Sequence, residues 1–256
     1  VDAQSLIGLL AIAAIAAYTQ TLTGFALGLI MMGGIGLTGI IPLTDAAVLV
    51  SILVIVNAGQ VLAKGWRDIA FAQALPALAT SLVFLGFGYW LLGLMASASL
   101  DWVKVVLGVV IVASSIQLSL KPQAMTQMSS RASFAGFGAI AGIMGGMFST
   151  AGPPLIYHFY RQPLKAAAVR ETLVAIFSVN AAVRLALVAG AGDLPSPGFW
   201  WGLLAIPVVV LSTFLARRYP PPLSPLAMRR TAFLLLFLSG LSLGLPAAIK
   251  LTMGAG

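Results

Sequence analysis

The side chains able to do chemistry here are few, and most sit beside breaks in apolar segments. Two stretches mix small, polar and helix-breaking residues: Gln20-Thr21-Leu22-Thr23-Gly24-Phe25-Ala26-Leu27-Gly28 and Gly145-Gly146-Met147-Phe148-Ser149-Thr150-Ala151-Gly152-Pro153-Pro154. The Gly-Pro-Pro run must interrupt helical hydrogen bonding, because proline has no N–H to donate. Irregular backbone at membrane depth survives only when buried in protein or lining a wet cavity. Broken helices also expose free N–H groups and a positive dipole end, which favours anions. The chemistry that fits is non-covalent capture of a small anion. Gln20, Thr23, Gly24 and Phe25 are the candidate contacts in the first break, and Ser149, Thr150, Gly152 and Pro153 in the second. Close helix packing through small residues is the alternative origin of such stretches.

Asn57, Gln60 and Lys64 fall at i, i+3 and i+7, hence on one helical face, and Asn180 and Arg184 at i and i+4 on another. A polar face inside an apolar span should point to the bundle interior, and Asn57, Gln60, Asn180 and Arg184 join the candidate site. Each Asn fits equally the role of interhelical glue, worth about 0.6–2 kcal/mol. An unpaired Arg in mid-bilayer costs at least ~2.5 kcal/mol. Gly190 lies roughly 9 Å along the helix from Arg184, so snorkelling to the outer surface stays open beside substrate contact.

Covalent chemistry finds little support. The six acids are Asp2, Asp45, Asp68, Asp101, Glu171 and Asp193, all in loops or near span ends. None falls mid-membrane, where proton-driven pumps keep a carboxylate. Glu171 is expected to pair locally with Arg170 at a helix start. His158, the lone histidine, titrates in a useful range but is expected at the membrane interface. The absence of cysteine excludes disulfides and thiolate ligands, so no metal site and no cofactor is expected. A nucleophile needs an activating base in reach, and no Ser or Asp motif accompanies His158. The chain reads as a non-enzyme.

The elements that position these residues are membrane spans. Hydrophobic residues make up 60% of the 256, charged residues only 8%, and mean hydropathy is +1.05. Soluble domains carry about a quarter charged residues, so the surplus apolar surface must face lipid. Net charge is +8, but the bases are spread through short gaps between apolar runs, which reads as topology signalling and not nucleic-acid binding. Spans need roughly 17–25 apolar residues, and six clean ones occupy 45–63, 71–95, 102–120, 166–190, 198–216 and 231–249. Regions 5–41 and 133–160 are apolar but interrupted; the first has room for two helices, the second for two half-helices or a re-entrant hairpin. Residues 6–17 resemble a signal-peptide core without a basic n-region and are read as membrane segment. The five Trp, at 66, 90, 102, 200 and 201, mark span ends.

Basic residues gather in 64–70, 121–132, 161–165 and 217–230, whereas 41–44, 96–101 and 191–197 have none. The basic group is therefore expected on the cytoplasmic side. The chain also repeats itself: Pro-Leu-x-x-Ala-Ala-Val occurs at 42–48 and 163–169, and Val-Asn-Ala at 56–58 and 179–181. One Pro-Leu turn falls outside and the other inside, which makes the halves inverted. Inverted repeats with matched helix breaks mark secondary transporters, with the substrate site where the breaks meet.

At these breaks the sequence resembles the sulfite exporter TauE/SafE family. Gln20-x-x-Thr23-Gly24-Phe25 is similar to the family's first-half motif, and Gly142-x-x-Gly145-Gly146 followed by Ala151-Gly152-Pro153-Pro154-Leu155 to its second. Two residues depart from the pattern: Ala26 stands where Gly is common, and Ala151 replaces a Gly. The resemblance spans essentially the whole chain and implies movement of small sulfur-containing anions such as sulfite or organosulfonates.

The expectation is an all-α integral membrane bundle of about ten segments. Residues 1–120 form one inverted repeat, 121–132 a cytoplasmic linker and 133–256 the other. It transports a small anion across the bacterial inner membrane by alternating access around a midplane site. A channel-like facilitator is the runner-up and an intramembrane enzyme a distant third.

Overall fold

Each apolar run folds as a helix, since a helix alone satisfies its backbone within one segment in lipid. The computed structural model describes residues 3–119, 125–150, 153–193, 195–220 and 225–253. The core of the expected linker, 120–124, lies outside these residues, as does Gly152. The helices are α1 (Ala3–Thr23), α2 (Leu27–Thr38), α3 (Leu43–Gly65), α4 (Phe71–Ala98), α5 (Leu100–Ser119), α6 (Arg131–Phe148), α7 (Pro153–Arg161), α8 (Ala166–Ala191), α9 (Phe199–Gly202), α10 (Ala205–Arg218) and α11 (Pro225–Thr252). A 3-10 turn, Trp66–Asp68, joins α3 to α4. The described residues contain no strand. Five segments in them are long and apolar enough to cross a membrane: α1, α3 with its 3-10 turn, α4, α8, and α9 with α10.

All six clean spans are helical; 198–216 is divided at 203–204 into α9 and α10, and α11 begins six residues ahead of the expected 231–249. Region 5–41 divides into α1 and the short α2, about 18 Å long at 1.5 Å per residue. Region 133–160 differs from a pair of half-helices. At the same rise α6 is about 27 Å, close to a full crossing, and α7 only about 14 Å. Capping sets several ends. Ser130 Oγ accepts from the Ser133 N–H at the start of α6, and left-handed Gly39 and Gly192 close α2 and α8.

Glycine decides how closely some helices approach. Gly138, Gly142 and Gly146 form one stripe on α6, and a Cβ at any of them would collide with the carbonyls of Ala77, Ser81 or Leu85 on α4. Two glycines of the Gly142-x-x-Gly145-Gly146 motif thus serve helix contact, while Gly145 has open space beside it. Gly108 on α5 meets Gly240 and Gly244 on α11 in the same manner. Further packed pairs are α1 with α10, α3 with α8, α4 with α8, α3 with α10, α2 with α11 and α5 with α7.

Loop contacts define two ends of the bundle. At one, the Met125 N–H donates to the Arg161 carbonyl, the Ala70 N–H to Thr172 Oγ1, and Arg217 to the Gln60 and Val61 carbonyls. This end gathers the described basic segments. At the other, Asp45 accepts from the backbone and hydroxyl of Ser196, Tyr89 donates to Asp193, and Lys250 pairs with Asp101 at 2.8 Å. The five Trp are all more than half exposed. His158 is buried in the protein, stacked on Phe137 at 4.2 Å and edge-on to Phe134 at 4.7 Å. The cause is that α7 turns back into the bundle beside α6.

Candidate functional site

The first break is held by an interlocked amide network. Gln20 Oε1 accepts the N–H of Leu27 at 3.1 Å, satisfying an orphan donor at the start of α2. Gln20 Nε2 donates to Asn57 Oδ1 at 3.0 Å. Asn57 in turn donates both amide protons, to Thr21 Oγ1 at 2.9 Å and Thr213 Oγ1 at 2.8 Å. Asn57 therefore ties α1, α3 and α10 together with every amide atom engaged. The Thr23 hydroxyl lies between the carbonyls of Thr19 and Phe25, and the Thr23 carbonyl accepts from Tyr160. Phe25 packs edge-on against Tyr160, centroids 6.0 Å apart. Gly24 has φ +83° and lies against Arg170, where a Cβ would come within 2.8 Å of the Arg170 Cα.

Backbone strain concentrates at the breaks. Among the described residues only two non-glycine residues have positive φ: Ala26 at 93° and Ser149 at 53°. Ala26 is the residue standing where the family pattern favours Gly. A non-glycine residue held in this region costs about 1–3 kcal/mol and persists where the surroundings enforce it.

The two breaks touch. Ser149 Oγ and Ser51 Oγ are 2.6 Å apart, and a Cβ on Gly28 would sit 2.9 Å from the Thr150 Cβ. Gln20, Phe25, Ala26 and Gly28 from one break and Ser149 and Thr150 from the other, with Val54 and Phe177, enclose a cavity of about 10 Å³. That is room for about one water molecule. Pro153 opens α7, beside Gly152 outside the described residues.

Arg184 is not snorkelling. It is 1% exposed, and its Nε donates at 3.0 Å to the Gly146 carbonyl, an orphan acceptor at the end of α6. Its guanidinium lies 5.8 Å from the Tyr89 ring, and Nη1 is buried with no partner among the described residues. Arg184, Tyr89, Asp193, Asp45, Thr44 and Ser97 line a larger cavity, about 620 Å³, toward the less basic end. A buried guanidinium with a spare donor beside an open cavity can hold an anion.

Of the expected site residues, Gln20, Phe25, Ser149 and Thr150 converge on the small cavity, with Thr23 and Gly24 just behind it. Asn180 lies apart: its Oδ1 accepts from Ser81 at 3.1 Å, and its Nδ2 is buried without a partner among the described residues. Gln60 is half-buried near the basic end, its Nε2 likewise unpartnered, while Lys64 is exposed. Sequence reasoning missed Ser51, Gly28, Val54, Phe177, Tyr89 and Asp193. Gly28 and the helical Ser51 carried weak signals; Val54 and Phe177 carried none. Glu171 does pair with Arg170, at 2.8 Å. No cluster of three or more His, Cys, Asp or Glu suited to a metal occurs among the described residues.

The family model described as "Sulfite exporter TauE/SafE" matches residues 9–243. The chain is 37% identical over 249 residues to the "Probable sulfite/organosulfonate exporter TauE" of Cupriavidus necator, covering 94% of each chain. It is 34% identical over 184 residues to the "Probable inner membrane transporter protein TsaS" of Comamonas testosteroni, covering 70% of this chain and 72% of the relative. No solved structure matches.

Proposed function

This chain belongs to the sulfite exporter TauE/SafE family of membrane transporters, and on that premise we propose that it exports a small sulfur-containing anion, sulfite or an organosulfonate, across the inner membrane. The observation that carries the reading is the meeting of the two breaks at Gly28 and Thr150 around one small cavity. The proposed pocket comprises Gln20, Thr23, Gly24, Phe25, Ser149, Thr150, Gly152 and Pro153. Asn57 braces it, and Arg184 hands the anion on to the larger cavity. Gln60 and Asn180 complete the proposed set, each with a buried amide nitrogen that has no partner among the described residues.

The carrier works by alternating access between halves 1–120 and 133–256, joined by a cytoplasmic linker at 121–132. The packing supports two inverted halves. Exchanging α1, α2, α3, α4 and α5 for α6, α7, α8, α10 and α11 turns the pair α4–α6 into α10–α1, α4–α8 into α10–α3, and α2–α11 into α7–α5. The pairs α3–α8 and α5–α11 map onto themselves. The basic end is cytoplasmic, following the excess of Lys and Arg there. A channel needs a continuous path, and a cavity of about 10 Å³ between the approaches favours a carrier.

The test is flux from liposomes holding the purified protein and loaded with sulfite or methanesulfonate. Release of the unchanged solute above that of protein-free liposomes is expected. A chemically altered product would make the protein an enzyme, and no release of either anion would overturn the substrate class.

A further inference from the structure

A third cavity, about 290 Å³, opens at the basic end, and its wall includes Thr21, Val61, Arg170, Glu171 and Arg217. Its acid pairs locally with Arg170, as expected at this helix start. The Glu171 side chain is 2% exposed, against 36% for Arg170. Oε1 takes two donors of the same guanidinium, Nε at 3.1 Å and Nη2 at 2.8 Å. Oε2 is buried with no partner among the described residues. Across from it α3 presents Gly65, where a Cβ would fall 2.6 Å from Oε2. The helix leaves out a side chain where the carboxyl sits.

We propose that Glu171 is a proton-binding site coupled to the anion, so that one proton and one anion bind together from this cavity and move in the same direction. The inference rests on the anion-transport reading above. An anion entering here needs guanidinium donors, but two of Arg170's are committed to Glu171 and Arg217 Nη1 is committed to the Gln60 and Val61 carbonyls. A proton taken from water onto the Glu171 carboxylate neutralises it and weakens its hold on Arg170. Arg170 then turns its donors to the anion, and the cavity carries two uncompensated cations instead of one. Coupling of this kind is reciprocal: the bound anion favours the proton as much as the proton favours the anion. Arg170 lies directly against Gly24 of the first break, so the exchange occurs beside the element that must move.

The other charged groups on elements packed against α8 do not line this cavity. Lys64, Arg67, Asp68 and Arg131 are exposed. His158 stacks on Phe137, meets Phe134 edge-on and has Ser133 Oγ beside its Nε2, and Arg161 lies over the Tyr157 ring. Glu171 is thus the carboxylate in the cavity wall, with two arginines for company.

The experiment is an equilibrium titration of the purified protein with methanesulfonate, whose own charge does not change between pH 5 and pH 9. Wild-type affinity should fall as pH rises, approaching about tenfold per pH unit, the limit for one linked proton. Glu171→Gln, neutral at every pH, should hold the wild-type low-pH affinity throughout. Flat wild-type affinity, or a Glu171→Gln variant that keeps the wild-type slope, would overturn the proposal. Should Glu171→Gln not fold, Glu171→Asp decides: it should move the midpoint of the pH dependence, and an unmoved midpoint overturns the proposal. Absence of methanesulfonate binding at every pH would sink the sulfonate reading and this proposal with it. Binding that ignores pH sinks only the proton site.

Discussion

The hydroxyls of Ser51 on α3 and Ser149 in the second break share a hydrogen bond of 2.6 Å. Ser149 holds a left-handed conformation there, at φ 53°. The bond fixes the end of α6 against α3, and Ser149 itself lines the small cavity. Replacing both residues by Ala should cost less than the sum of the single replacements, with a coupling of about 0.5–1.5 kcal/mol. A double-mutant cycle on thermal unfolding in detergent measures it. Additive effects would mean that the contact does not hold the break.

Ala26 offers a prediction of opposite sign. Its φ of 93° suits glycine, so Ala26→Gly should stabilise the protein by about 1 kcal/mol. The midpoint of thermal unfolding should rise. An unchanged or lower midpoint would mean that the left-handed geometry is not populated.

The spans were legible in the sequence because lipid imposes length and hydropathy on each one, and the α3, α4, α8 and α10 runs announce themselves. Both breaks were legible through Gly24 and the Gly-Pro-Pro run. What sequence left open was the use of each polar residue. Asn57 and Asn180 look equivalent by the repeat, yet Asn57 is saturated by Gln20, Thr21 and Thr213, whereas Asn180 has only Ser81. Arg184 looked able to reach lipid phosphates until its Nε was found on the Gly146 carbonyl. Glu171 sits near a helix start in sequence, but α3 and its Gly65 cover it. Such assignments depend on which helices become neighbours, and spacing along one helix does not encode that.

Gly28 tests the meeting point of the breaks. A Cβ there crowds Thr150, and the branched chain of Gly28→Val would fill the cavity outright. The variant should insert and fold but lose anion flux by tenfold or more, about 1.4 kcal/mol or above in the transport barrier. Flux equal to wild type, at equal incorporation, would remove this contact from the pathway.

Arg184 caps α6 through the Gly146 carbonyl and is also the proposed anion donor. Arg184→Gln should weaken methanesulfonate binding by about 1.5–3 kcal/mol, tenfold or more, the range for a charge-assisted hydrogen bond. Arg184→Lys should retain part of the affinity, since the charge stays while the planar donor pair is lost. Near-identical affinities of the three proteins would leave Arg184 a cap alone.

The central claim, carriage of a small sulfur-containing anion by alternating access through the pocket between the breaks, is tested most directly by counterflow. Liposomes containing the protein are preloaded with concentrated unlabelled methanesulfonate and diluted into a trace of labelled anion. A carrier should accumulate label transiently above its equilibrium level, because each outward passage returns the same site for inward loading. Label that rises smoothly to equilibrium without overshoot would contradict the account and describe a channel.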